Sequence, residues 1–119
     1  MTVREIVSTL DGVLLTGEEL LDLDIKAACG ADLMSDVMAF VKEGVVLLTG
    51  LVNPQAIRTA ELMDIKVVVF VRGKKPPKDM LDEAAANGMA VVATKYSMFL
   101  ACGRLYEAGL RSGGTRDIQ

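Results

Sequence analysis

Gly44-Val45-Val46-Leu47-Leu48-Thr49-Gly50-Leu51-Val52-Asn53-Pro54 is the stretch on which the fold turns. Val45 to Leu48 are four apolar residues without a polar interruption, the mark of a strand buried on both faces. Thr49-Gly50 opens a loop. Asn53 is placed to cap a helix, and Pro54 suits its first turn, where a missing N–H costs nothing. Ala56, Ile57, Ala60, Leu62 and Met63 then supply the apolar side of that helix.

The same order recurs downstream. Val67 to Val71 is a second continuously apolar strand, Arg72-Gly73-Lys74-Lys75-Pro76-Pro77 a loop, and Lys78 to Asn87 a helix carrying Met80, Leu81, Ala84 and Ala85. Asn87-Gly88 closes that helix. Ala90 to Ala93 is a third strand. Ser97 caps a last helix with Met98, Ala101, Cys102, Leu105 and Tyr106 on one side, ended by Gly109. Alternating apolar strands and amphipathic helices predict a three-layer α/β/α fold with a mainly parallel central sheet. Each crossover is expected to be right-handed.

Upstream the pattern is less regular. Thr2 and Glu5 form a capping box before Val3, Ile6, Val7 and Leu10, which predicts a helix that Asp11-Gly12 ends. Val13 to Leu15 reads as a short strand, Thr16 to Glu19 as a turn, and Leu20 to Ile25 as an extended segment leading into Ala27 to Ala31. The two short strands are expected together at one edge. Asp32 to Val41 reads as a second helix with Asp32 as its cap, Asp36 in its first turn, and Leu33, Val37, Phe40 and Val41 as its stripe. The expected organisation is one domain over residues 1–110 and a flexible tail over 111–119, where Ser112-Gly113-Gly114 lies.

Composition narrows the chemistry. The 119 residues are 51% hydrophobic and 24% charged, enough for a real core. The absence of His removes the commonest general base and every Ser-His or Cys-His nucleophile pair. A net charge of −3 argues against nucleic acid as a partner. That charge is uneven: residues 1–40 hold two basic and eight acidic side chains, residues 41–119 eleven and eight. Cys29 and Cys102 form no CxxC motif and read as free, structural thiols. No apolar run approaches the ~20 residues of a membrane span, and Met1 to Leu10 has no signal-peptide pattern, so a cytoplasmic protein is expected.

In an open parallel sheet, ligands bind beyond the carboxyl ends of the strands. The three loops there offer Thr49, Gly50, Asn53, Arg72, Thr94, Lys95 and Ser97 as candidate ligand-binding residues, with Lys74 and Lys75 nearby. Helix starts and cations favour a phosphate or carboxylate. Thr49–Asn53 and Thr94–Ser97 are expected to lead from adjacent parallel strands into helix starts, so that their N–H groups converge on one anion. The same residue types also serve as ordinary caps and turns. No P-loop and no GxGxxG is present. Asp32 with Asp36 is read as cap and first-turn carboxylate rather than as a metal site. Lys95-Tyr96-Ser97 lacks the oxyanion hole that a Ser-Lys nucleophile requires. No catalytic residue, metal or cofactor is assigned.

Leu48 to Ile57, Val68 to Gly73 and Ala93 to Phe99 together resemble the DRTGG domain family, as do Asp32 to Met38 and Gly103 to Leu110. The resemblance spans about residues 1–110. The five-letter motif that names the family is not matched in place; Gly113-Gly114-Thr115-Arg116-Asp117 is a chance echo. The likeness is thus to free-standing members. It implies an α/β/α domain similar to the N-terminal domain of HPr kinase. Such domains accompany phosphotransacetylases and CBS-domain pyrophosphatases as non-catalytic regions, and in the latter they help form dimers beside nucleotide-sensing modules. Single-domain versions occur in anaerobic bacteria and tend to lie near hydrogenase and HPr-kinase-like genes, so the resemblance implies a protein partner linked to those systems.

The expected function is therefore a non-catalytic regulatory or interaction domain that self-associates and senses a small anionic ligand. A mean hydropathy of +0.37 supports a homodimer, since so apolar a small chain exposes more than one core hides. The alternative is a small enzyme acting on a phosphorylated or carboxylated metabolite, with Lys95 or Asp36 as acid or base.

Overall fold

Val45, Leu47, Val68, Phe70 and Val91 bury toward one side, and Val46, Leu48, Val67, Val69 and Val92 toward the other. That alternation is the two-residue period of a strand, doubled because both faces are covered. The computed structural model that displays it describes residues 1–39 and 44–112.

Five strands make one sheet. They are β1 (Val13–Thr16), β2 (Ala27–Gly30), β3 (Val45–Thr49), β4 (Val67–Phe70) and β5 (Ala90–Ala93). Their order is β1-β5-β4-β3-β2. β2 to β5 run parallel, and β1 lies antiparallel on β5 with an irregularity between Leu14 and Thr16. The two short strands thus lie at opposite edges, not together at one. β1 follows α1 and pairs with β5, whereas β2 pairs with β3 and begins the parallel series.

The helices are α1 (Val3–Thr9), α2 (Met34–Met38), α3 (Pro54–Leu62), α4 (Lys78–Ala86) and α5 (Met98–Glu107). Met34, Val37, Ala56, Ile57, Ala60, Met80 and Ala84 place α2, α3 and α4 on one face. Val3, Ile6, Ala101 and Leu105 place α1 and α5 on the other. The result is the three-layer α/β/α architecture expected from sequence.

Local signals explain the helix starts. Thr2 and Glu5 form the reciprocal capping box of α1, and the Thr2 amide holds the Glu5 carboxyl below its usual range. Asn53 caps α3 with Pro54 behind it, and Ser97 caps α5. Such caps each contribute ~1 kcal/mol. Between β1 and β2, Gly17 has φ +97, and a Cβ there would lie 2.5 Å from the Ala90 Cα. Only glycine fits this approach to β5.

Three expectations change. Asp32 does not cap α2; Leu33 holds that position, makes no side-chain cap and is exposed. Phe40 and Val41 lie outside the described residues. Leu62 is 70% exposed and Tyr106 60%, so both leave the faces assigned to them. After α5, the Arg111 carbonyl accepts a 3.0 Å hydrogen bond from the Ala28 N–H of β2.

Both cysteines are free thiols. Burial pushes Cys29 up to about 11 and raises Cys102 as well, which keeps both thiols protonated and inert at neutral pH. Among the described residues no helix is long and apolar enough to cross a membrane.

Candidate functional site

The carboxyl ends of β2 to β5 deliver four segments to one edge of the sheet: Asp32, Thr49–Asn53, Arg72–Lys74 and Thr94–Ser97. β3 and β5 are not adjacent, because β4 lies between them. The two threonine turns therefore meet through the β4 loop rather than directly. The Thr49 carbonyl accepts from the Val71 N–H at 3.1 Å, the Tyr96 carbonyl from the Arg72 N–H at 2.8 Å, and the Thr94 carbonyl from the Gly73 N–H at 2.8 Å.

Arg72 is held at φ +62 and Gly73 at φ +70. Two successive left-handed residues fold the chain back over the strand end. For a residue with a Cβ, such as Arg72, this conformation costs about 1 kcal/mol or more. The turn brings the Arg72 guanidinium onto Gly50, where any Cβ would collide with it. Lys74 Nζ donates to the Gly50 carbonyl at 3.1 Å. The Gly50 N–H donates to Asp32 Oδ1 at 2.7 Å. Two cations and one carboxylate thus converge on a single glycine.

The candidate residues divide by what already occupies them. Thr49 is buried; its hydroxyl faces Asp32 Oδ1 at 3.4 Å and accepts from the Leu51 N–H at 3.1 Å. Thr94 is buried too, and its hydroxyl donates to the Leu10 carbonyl at 2.7 Å while accepting from the Tyr96 N–H. Asn53 Oδ1 accepts from the Gln55 N–H, and Ser97 Oγ from the Leu100 N–H. Thr94, Asn53 and Ser97 hold the edge in shape. Lys95 is exposed, and among the described residues neither it nor Arg72 forms an ion pair. The Tyr96 hydroxyl donates to Asp11 Oδ2 at 2.7 Å, a bond that raises its pKa and ties this turn to the end of α1.

Sequence reasoning passed over Asp32 as a ligand of this edge. The one available signal was its place two residues beyond the end of β2, level with the other strand-end loops.

The family profile of the DRTGG domain matches residues 5–108. The chain belongs to the DRTGG domain family. One similar solved structure is that of the CBS and DRTGG domains of the regulatory region of Clostridium perfringens pyrophosphatase, complexed with its activator, diadenosine tetraphosphate. It superposes with a TM-score of 0.75 at 19% identity over 98% of this chain and 51% of that one. The likeness is one of fold, and this DRTGG domain spans about half of that regulatory region. No curated protein matches the chain.

Proposed function

We propose that this DRTGG domain is a non-catalytic regulatory module that self-associates and takes a small anionic ligand of phosphate or nucleotide type at the carboxyl edge of its sheet. The observation that carries the ligand is the convergence of Arg72 and Lys74 on Gly50, opposed by Asp32. Lys75 and Lys95 are exposed on the flanking loops and add positive potential. A phosphate has the charge and the acceptor oxygens to engage these donors in charge-assisted hydrogen bonds. The regulatory half of the reading is supported by the pyrophosphatase region of the same fold, which is regulatory and holds a dinucleotide activator.

Thermal unfolding in the presence of inorganic phosphate, mononucleotides and diadenosine polyphosphates tests the ligand. A binder at ~100 times its dissociation constant adds about 2.7 kcal/mol. Arg72→Ala and Lys95→Ala are expected to weaken that binding while leaving the unliganded stability within about 0.5 kcal/mol, as for exposed side chains. No shift with any of these anions at millimolar concentration overturns the site.

A further inference from the structure

The outer side of α5 sets a protruding aromatic beside bare backbone. Phe99 is 89% exposed. One turn along stands Gly103, where an added Cβ would meet nothing within 4 Å. Phe99, Leu100, Gly103, Arg104 and Glu107 line a groove of about 450 Å³. Small-molecule sites span ~300–1,000 Å³. The groove is joined to the edge where Arg72 and Lys74 meet, because Tyr96 belongs to both. The Tyr96 carbonyl accepts from the Arg72 N–H at 2.8 Å, and the Arg104 guanidinium stands 5.1 Å over the centre of the Tyr96 ring.

We propose that this groove takes the base of a nucleotide whose phosphate lies against Arg72 and Lys74. The proposal rests on the anion site described above and supplies the rest of its ligand. Phe99, Gly103 and Glu107 are spaced by four residues and share one stripe of the helix, and Leu100 and Arg104 share the next. The glycine lets a flat ring lie against the helix where a side chain would hold it off. Phe99 offers a ring face and Arg104 a planar cation, and both stack on heteroaromatic rings. Arg104 also supplies donors, and Glu107 an acceptor, for the polar edge of a base. An inorganic anion alone would be repelled by Glu107 and gain nothing from Phe99. An aliphatic ligand would leave both charges without partners. A base has the flat face and the mixed donor and acceptor edge that these residues complement together.

Titration calorimetry of the full chain with ribose 5-phosphate, AMP, GMP and UMP tests this, since these ligands share a phosphate monoester and differ in the base. Wild type is expected to bind at least one nucleotide about tenfold or more tighter than ribose 5-phosphate, as stacking on an aromatic side chain provides. Phe99→Ala and Gly103→Leu are each expected to remove that preference and to leave ribose 5-phosphate binding as it was, whereas Phe99→Trp keeps it. Arg72→Ala is expected to weaken all of these ligands alike. Circular dichroism is expected to show the α5 variants folded, since neither position faces the core. Equal affinity for ribose 5-phosphate and every nucleotide overturns the base site while the anion site stands. A nucleotide preference that survives both Phe99→Ala and Gly103→Leu overturns it as well. If Phe99→Ala lowers the mass in sedimentation equilibrium and spares the preference, the groove belongs to a second copy and the proposal falls. Nucleotide binding undiminished by Arg72→Ala overturns the single ligand spanning groove and edge. No binding by any of these ligands at millimolar concentration overturns the anion site and the base site together.

Discussion

The turn after β3 and the turn after β5 begin with the same device. A buried threonine, Thr49 or Thr94, ends or follows the strand, and its hydroxyl accepts the N–H two residues on, at 3.1 and 3.2 Å. Each turn then ends in a side-chain cap, Asn53 or Ser97. They differ in what the hydroxyl proton finds. Thr94 donates to the Leu10 carbonyl at 2.7 Å, and Tyr96 adds a bond to Asp11, so the second turn is clamped to the end of α1. Thr49 meets the Asp32 carboxylate at 3.4 Å, a charged group that also holds the Gly50 N–H. One turn is fastened to backbone. The other is balanced on a charge that an incoming anion would oppose. The same short motif thus serves structure at β5 and leaves room for ligand at β3.

The largest expected effect separates the two threonines. Thr94→Val strands the buried Leu10 carbonyl and the Tyr96 N–H, and is expected to cost about 2 to 3 kcal/mol. Thr49→Val loses a long contact to Asp32 and one turn bond, and is expected to cost about 1 kcal/mol. Urea unfolding of both variants measures the gap. Equal costs would break the contrast.

The caps supply the matched control. Ser97→Ala and Asn53→Ala are each expected to lower stability by about 1 kcal/mol, because both remove one side-chain acceptor from a helix N–H. A large difference between them would place the asymmetry in the helices rather than in the threonines.

Most of the fold was readable because β3, β4 and β5 are apolar on both faces, and caps such as Asn53-Pro54 and Ser97 mark their helices locally. The edges were not readable in the same way. β1 and β2 are four residues each, and nothing local says which edge each joins; long-range pairing with β5 and β3 decides it. At the site, the candidate loops followed from the parallel sheet, and Arg72 was among them. Asp32 looked like a helix cap because aspartate before a helix usually is one. Its actual partner, Gly50, is 18 residues away and comes within reach only when β2 pairs with β3. The left-handed backbone at Arg72 carries no sequence mark either, since arginine is not a residue that favours it.

A small change in stability is expected of Asp32→Asn, and this variant bears most directly on the contrast. Asparagine keeps an oxygen in place to accept the Gly50 N–H, so the turn keeps its 2.7 Å bond in kind, and stability is expected to move by no more than about 1 kcal/mol. What disappears is the negative charge facing Arg72 and Lys74. Two unit charges ~4 Å apart in water interact by about 1 kcal/mol, so removing the repelling one should tighten anion binding by roughly fivefold. The gain should shrink as salt is raised, because exposed charges are screened over ~10 Å at 0.1 M. Titration calorimetry of the best-binding phosphate ligand from the thermal screen, against wild type and Asp32→Asn at low and high salt, measures it. Unchanged affinity at low salt would mean that the anion binds away from Gly50. The β3 turn would then be as purely structural as the β5 turn, with Asp32 serving only to fasten it.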